Sequence, residues 1–174
     1  MKVTKLLAMY RRNPWKGLAA GLIGGLVGAW SMNQFQKVWS AAAEQLGAEQ
    51  SQQESEDATM KTADRLARAI GKQLSMEQKK KAGPVVHYAF GALMGGIYGA
   101  LAETESQVKR GAGIPFGGLL FATADEVAVP ALGLAGSPTE SPLSSHLQGL
   151  ASHLVYGATT EGVRRYTRNV LRFL

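Results

Sequence analysis

The chain has 174 residues, a formal net charge of +6, 21 glycines and no cysteine. It suits one domain or one small bundle, and it excludes disulfides, thiolate metal sites and cysteine nucleophiles. Charged residues make up only 18%, below the roughly 25% of soluble domains, and aromatics 7%. The chain is therefore neither a charged disordered polymer nor equipped for a large aromatic core.

Residues 1–16 read as a basic arm carrying Lys2, Lys5, Arg11, Arg12 and Lys16. Pro14 suits a first helical turn, and Trp15 and Lys16 suit a membrane interface. Gly17–Gln36 then runs for about 20 residues without a formal charge, enough to cross a hydrocarbon core as a helix. Ala41-Ala42-Ala43 resembles a leader cleavage site but lies too far beyond the apolar run, so an uncleaved first span is expected.

Residues 40–82 read as a polar insertion. Its first part extends the helix and fades into a loop. Its second part, Ala58–Gln78, is amphipathic, with Ala63, Leu66, Ala67, Ile70 and Leu74 at helical spacing and Lys61, Asp64, Arg65, Arg68 and Lys72 opposite. Two readings stay open for it: a helix lying at the lipid surface, or one packed on the end of a bundle.

The run Lys79-Lys80-Lys81 and Gly83-Pro84 mark the entry to a second charge-free block, with span two at Pro84–Ala102. The connection Glu103–Arg110 is short, so spans two and three are expected to be antiparallel neighbours. Span three runs from Gly111 to about Val129, interrupted by Asp125-Glu126. A turn-rich link through Pro130 and Gly133–Pro142 leads to span four, from Leu143 to the Glu161–Arg165 region. A basic tail, 166–174, follows.

Soluble helices rarely avoid charge for so long, because one face must meet water. The expected fold is an all-α, polytopic membrane bundle of four spans over 17–165, with an amphipathic helix between spans one and two. Both basic termini fall on one side, the cytoplasmic one by the Lys/Arg rule, with Lys109 and Arg110 agreeing and Lys79–Lys81 disagreeing.

Small residues recur every four positions: Gly17, Gly21 and Gly25; Gly24 and Gly28; Gly91, Gly95 and Gly99. In lipid such spacing lets backbones approach, so Gly21, Gly25, Gly91, Gly95, Gly99 and Gly157 are candidate packing positions within one chain, with a homo-oligomer face as the competing reading. His87-x-x-Phe90-Gly91-Ala92 also echoes His153-x-x-Tyr156-Gly157-Ala158, and Gly24-Gly25-Leu26 echoes Gly117-Gly118-Leu119, as a duplicated hairpin would.

All three histidines, His87, His146 and His153, fall in charge-free blocks. With Asp125, Glu126 and Glu161 they form the candidate polar cluster, because ionisable groups at membrane depth need a partner or water. Proton relay or sensing, divalent metal binding and a purely structural role all remain open. No HExxH, phosphate loop or Gly-x-Ser-x-Gly motif occurs. The reading therefore leans away from an enzyme and names no catalytic residue, metal or cofactor. Basic residues sit where topology alone would put them, so nucleic acid is not an expected partner; the lipid bilayer is.

Several short pieces carry a resemblance. They are Ala58-Thr59-x-Lys61-x-Ala63-Asp64, His87-Tyr88-x-x-Gly91 with Tyr98-Gly99, Asp125-Glu126 before Pro130, and His153-Leu154-Val155-Tyr156-Gly157 with Glu161 and Arg164-Arg165. In these the chain resembles the YagU-like family of small bacterial inner-membrane proteins. The resemblance implies an inner-membrane location and several spans, and supplies neither substrate nor catalytic residues. The expected function is that of an inner-membrane protein without an assigned activity, proton-linked or stress-related through its intramembrane His and carboxylates. The alternatives are a small transporter or channel subunit, and a soluble or peripheral helical scaffold.

Overall fold

The computed structural model describes residues 13–46 and 57–171, and among them every regular element is helical. The basic arm is outside the described residues except for its last positions, as are the end of the tail and the middle of the polar insertion.

Helix α1, Pro14–Gln45, has 32 residues and starts where the Asn13 side chain accepts a hydrogen bond from the Lys16 N–H, with Pro14 in the first turn. At 1.5 Å per residue it is about 48 Å long, more than a bilayer core needs. Helix α2, Ala58–Ala69, is capped by Asp57, whose carboxylate accepts from the Met60 N–H, and ends before Gly71, which takes a left-handed φ of 75°.

Helix α3, Met76–Thr104, is opened by a reciprocal cap: the Ser75 hydroxyl accepts from the Gln78 N–H while the Gln78 side chain accepts from the Ser75 N–H. It continues through Gly83-Pro84 as one helix. The cap sets the start, and Pro84 removes only one hydrogen bond close to it.

Tight turns follow over Ser106–Gly113, where Gly111, Ala112 and Gly113 all have positive φ. Then α4, Ile114–Leu120, continues without a break into a π-helical segment, Phe121–Ala128, and α5, Val129–Ala131. Helix α6 covers Leu143–Val170, reaching into the region read as tail.

α1 is the centre of the bundle, packed against both α3 and α6, while α4 packs on α6 and α2 packs on α3. Gly17, Gly21 and Gly25 of α1 face Gly99, Gly95 and Gly91 of α3 in antiparallel register. Gly24 and Gly28 meet Thr160 and Tyr156 of α6, and Gly113 and Gly117 meet Gly157 and His153. A Cβ at Gly95 would lie 2.6 Å from the Gly25 Cα, a separation no side chain can tolerate. Spans two and three meet through the stacked Tyr98 and Phe116 rings, 4.4 Å apart, but the main backbone contact of each is with another helix, α1 for α3 and α6 for α4.

The bundle buries small side chains and exposes large apolar ones. α1 turns Ala20, Gly21, Gly25 and Ala29 inward and leaves Ile23, Leu26, Val27 and Trp30 outside; α3 leaves Phe90, Leu93, Ile97 and Leu101 outside. Two runs, Met76–Thr104 and Ser106–Ala131, are long and apolar enough to cross a membrane, and only 33% and 17% of their most apolar stretches are buried. They are not core helices hidden from solvent. α1 and α6 do not reach that apolar standard, since they carry Asn33, Gln34 and Gln36, and Ser144, Ser145, His146 and Gln148.

Gly95→Leu should destabilise the detergent-solubilised protein by about 1–3 kcal/mol or more, through overpacking. Leu93→Ala, on the exposed face, should stay within about 0.5 kcal/mol. Thermal unfolding of both variants decides this; equal midpoints would contradict the packing described.

Candidate functional site

The polar side chains gather in two layers at opposite ends of the bundle. The first layer lies where the start of α1, the ends of α3 and α6, and the turns before α4 converge. Glu161 and Arg164 are 1% and 3% exposed. The Glu161 carboxylate accepts from Arg164 Nε at 2.6 Å and Nη2 at 2.9 Å, and from Arg165 Nε. These partners sit three and four residues on, where a helix brings side chains together.

Glu103 of α3 accepts a two-pronged pair from Arg168, at 2.8 and 3.0 Å, and a bond from the Asn13 N–H. Arg165 Nη2 reaches the Lys109 carbonyl at 3.4 Å, and Lys16 Nζ the Leu171 carbonyl at 2.9 Å. The Arg164 guanidinium lies 6.0 Å from the Tyr98 ring centroid, within cation–π range. Two carboxylates thus tie three arginines and the ends of four chain segments together.

The second layer lies at the other end and involves the π-helical segment. Thr123 donates to the Leu119 carbonyl at 2.8 Å, and Pro130 has no N–H to return to the preceding turn. Both loosen the regular ladder, and the wider turn holds Asp125 and Glu126. π-turns are rare and concentrate at functional sites.

His146 of α6 places Nδ1 2.8 Å from a Glu126 carboxylate oxygen and Nε2 3.0 Å from the Pro138 carbonyl. A carbonyl can only accept, so Nε2 carries a hydrogen. The short contact at Nδ1 then needs a second proton, on the imidazole or on the carboxyl. The His146–Glu126 pair is a two-proton site by geometry.

One helical turn or two further along α6, His153 Nδ1 donates to the Gly149 carbonyl at 2.9 Å and stands 3.7 Å from Asp125 Oδ2, with Phe121 beside its ring. His87 of α3 stands edge-on to the Tyr88 ring, with 5.6 Å between centroids. Its Nε2 is shielded from solvent and without a hydrogen-bond partner. Its neighbour Tyr88 accepts from Asn33 of α1 at 3.3 Å.

The expected six-residue cluster is therefore divided. Asp125 comes within 3.7 Å of His153 and Glu126 within 2.8 Å of His146, while His87 lies on α3 with its ring against Tyr88. Glu161, eight residues beyond His153 on the same helix, is about 12 Å further along the axis and belongs to the arginine layer. Sharing a helix face did not give it the same depth. The sequence reading missed Glu103 and Arg168 altogether, because partners 65 positions apart leave no local signal. The Glu161–Arg164–Arg165 spacing could have revealed the rest of that layer. Among the described residues no three His, Asp or Glu side chains converge to hold a metal ion.

A family model described as protein of unknown function (DUF1440) matches residues 64–162. The chain belongs to that family. The matched segment takes in α3, α4 and most of α6, and with them every histidine and both site carboxylates of the second layer. No curated protein and no solved structure matches the chain.

Glu161→Ala should cost about 3–5 kcal/mol, because it strips buried Arg164 of its two-pronged partner and leaves only Glu103, 4.0 Å away. Arg165→Ala, whose side chain is 53% exposed, should cost under about 1 kcal/mol. Thermal unfolding in detergent separates the two; a similar small loss in both would mean the buried pair is dispensable.

Proposed function

We propose that this member of the family is a four-span integral membrane protein, YagU-like, of the bacterial inner membrane. Its spans are taken as the Gly17–Gln36 part of α1, the Pro84–Ala102 part of α3, the rod from α4 to α5, and α6 from Leu143 to about Thr160. Both termini lie on the cytoplasmic side, where Lys16, Lys109, Arg110 and Arg164 to Arg168 cluster. The lipid bilayer is the partner of the exposed apolar faces, and close backbone contact through glycine holds the spans together. What supports the bilayer is the inverted burial of α1 and α3. In water, Leu26, Trp30, Leu93 and Ile97 would be the side chains to hide; in lipid they have no reason to.

Within that protein we assign the His146–Glu126 pair, with His153, Asp125 and His87, to a proton-linked role. The observation that carries this is that both nitrogens of His146 face acceptors. The contact holds while the extra proton is present. When it leaves, an imidazole lone pair faces a carboxylate, and α6 and the π-helical segment repel each other. The link is therefore present at lower pH and lost as pH rises through the range in which histidine changes charge, about pH 5–8.

Amide-exchange protection of Phe121–Ala128, corrected for intrinsic rate, should fall over that rise in the liposome-reconstituted wild type. In His146→Gln, which keeps a donor for the Pro138 carbonyl but cannot take up a proton, the fall should be much smaller, and in the His146→Gln/His153→Gln double variant it should be absent. Identical profiles would remove the proton-linked role. Reporter fusions at residues 1 and 174 test the topology independently, and a signal from the far side of the membrane at either end would remove the four-span arrangement.

A further inference from the structure

The helix α2 has no role in either polar layer. Its inner side is fixed in detail. Thr59 and Met60 lie against Gly83 of α3. Asp64, 7% exposed, bonds Arg68 at 2.9 Å and Lys79 of α3 at 3.2 Å, and accepts weakly from the Leu74 N–H. Burial alone would raise the Asp64 carboxyl; the Lys79 and Arg68 cations and the Leu74 amide outweigh it and hold the group below its ordinary value. Arg65 reaches across to the Leu132 and Gly133 carbonyls at the end of α5, where a cation meets the negative end of a helix. α2 is thus tied to the starting end of α3 and the finishing end of the α4–α5 rod, on the side of the bundle away from the termini.

Its apolar stripe is split between the two sides. Ala63 is buried, but Leu66 is 62% exposed and Ile70 is 72% exposed. They are one turn apart and share a face. Leu132, whose carbonyl Arg65 holds, is exposed as well. The same short segment carries Lys61, Arg65, Arg68 and Lys72, of which Arg68 keeps its side chain 62% exposed while bonded to Asp64, and the one acidic residue within the helix, Asp64, is turned inward. A short helix with an apolar pair outside, several basic residues and its carboxylate hidden has the charge and shape that fit the boundary between lipid headgroups and chains.

We propose that α2 is a lipid-binding surface: it lies in the headgroup layer on the side opposite the termini, with Leu66 and Ile70 in the acyl boundary and the basic residues against anionic headgroups. This rests on the membrane reading of the bundle, and the experiment keeps the two apart.

The chain has no cysteine, so single reporters can be placed in the full-length protein. Ile70→Cys and, separately, Leu93→Cys on α3 are labelled with an environment-sensitive fluorophore and reconstituted into phosphatidylcholine vesicles with or without phosphatidylglycerol. The expected result is loss of most emission at both positions with chain-brominated lipid, little loss with aqueous iodide, and stronger lipid quenching at position 70 when phosphatidylglycerol is present. If position 93 is quenched by lipid but position 70 only by iodide, the α2 proposal is overturned and the membrane reading stands. If neither is reached by lipid, both fall. A position 70 probe shielded from both quenchers, and uncovered on dilution of protein into lipid, would show a second copy on this face and overturn the proposal. Equal quenching in the two vesicle types would overturn the anionic preference.

Discussion

The closeness of α1 to its two neighbours decides the rest of the structure. Where Gly17, Gly21 and Gly25 face Gly99, Gly95 and Gly91, backbone lies on backbone with no side chain between. Dispersion falls off steeply with separation, so this contact is strong only because there is nothing to hold the helices apart. It also sets the register. With α1 and α3 locked antiparallel, Glu103 arrives beside Asn13; with α1 and α6 locked through Gly24 and Gly28, Arg164 and Arg168 arrive at the same level. The ionic layer follows from the packing of the helices and then closes that end, since a buried carboxylate with its arginines in place resists being pulled apart.

The opposite end is built differently. There the α4–α5 rod has α6 as its main partner, and its turns are widened by the π-helical segment. Instead of a dense network of permanent charges it has histidines opposite carboxylates, with Asp125 43% exposed on its side chain where Glu161 is sealed. One end of the molecule is held by carboxylate–arginine pairs; the other sets histidines against carboxylates. α2 is tied down beside that second end through Asp64 and Arg65.

Much of the helical order was legible in the residues. The start of α6 after Pro142, the turn-rich link before it and the helical part of the insertion all follow from turn chemistry and spacing. What was not legible depends on depth and on distance in sequence. The neighbour relation of spans two and three was inferred from a short connection, but Gly113 and Gly117 give α4 its main backbone contact with α6. Glu161 joins the histidines in the expected cluster because ionisable groups at membrane depth need a partner, a rule that says nothing about height along the helix. Spacing alone leaves open which way the apolar stripe of α2 faces; Asp64 with its two cations takes the buried side and leaves Leu66 and Ile70 outside. The exposed Leu and Ile faces of α1 and α3 could not be told from core faces by periodicity, which is the same in water and in lipid.

The inverted interior is the claim on which the membrane account depends, and one pair of positions tests it. Leu26 is exposed and Ala29 fully buried on the same helix. With a single reporter cysteine at each in turn, in the reconstituted protein, the label at Leu26→Cys should be quenched by brominated lipid and be inaccessible to a water-soluble thiol reagent, while Ala29→Cys should react with neither. Ready labelling of Leu26→Cys by the water-soluble reagent, without lipid quenching, would place that face in water and contradict the account.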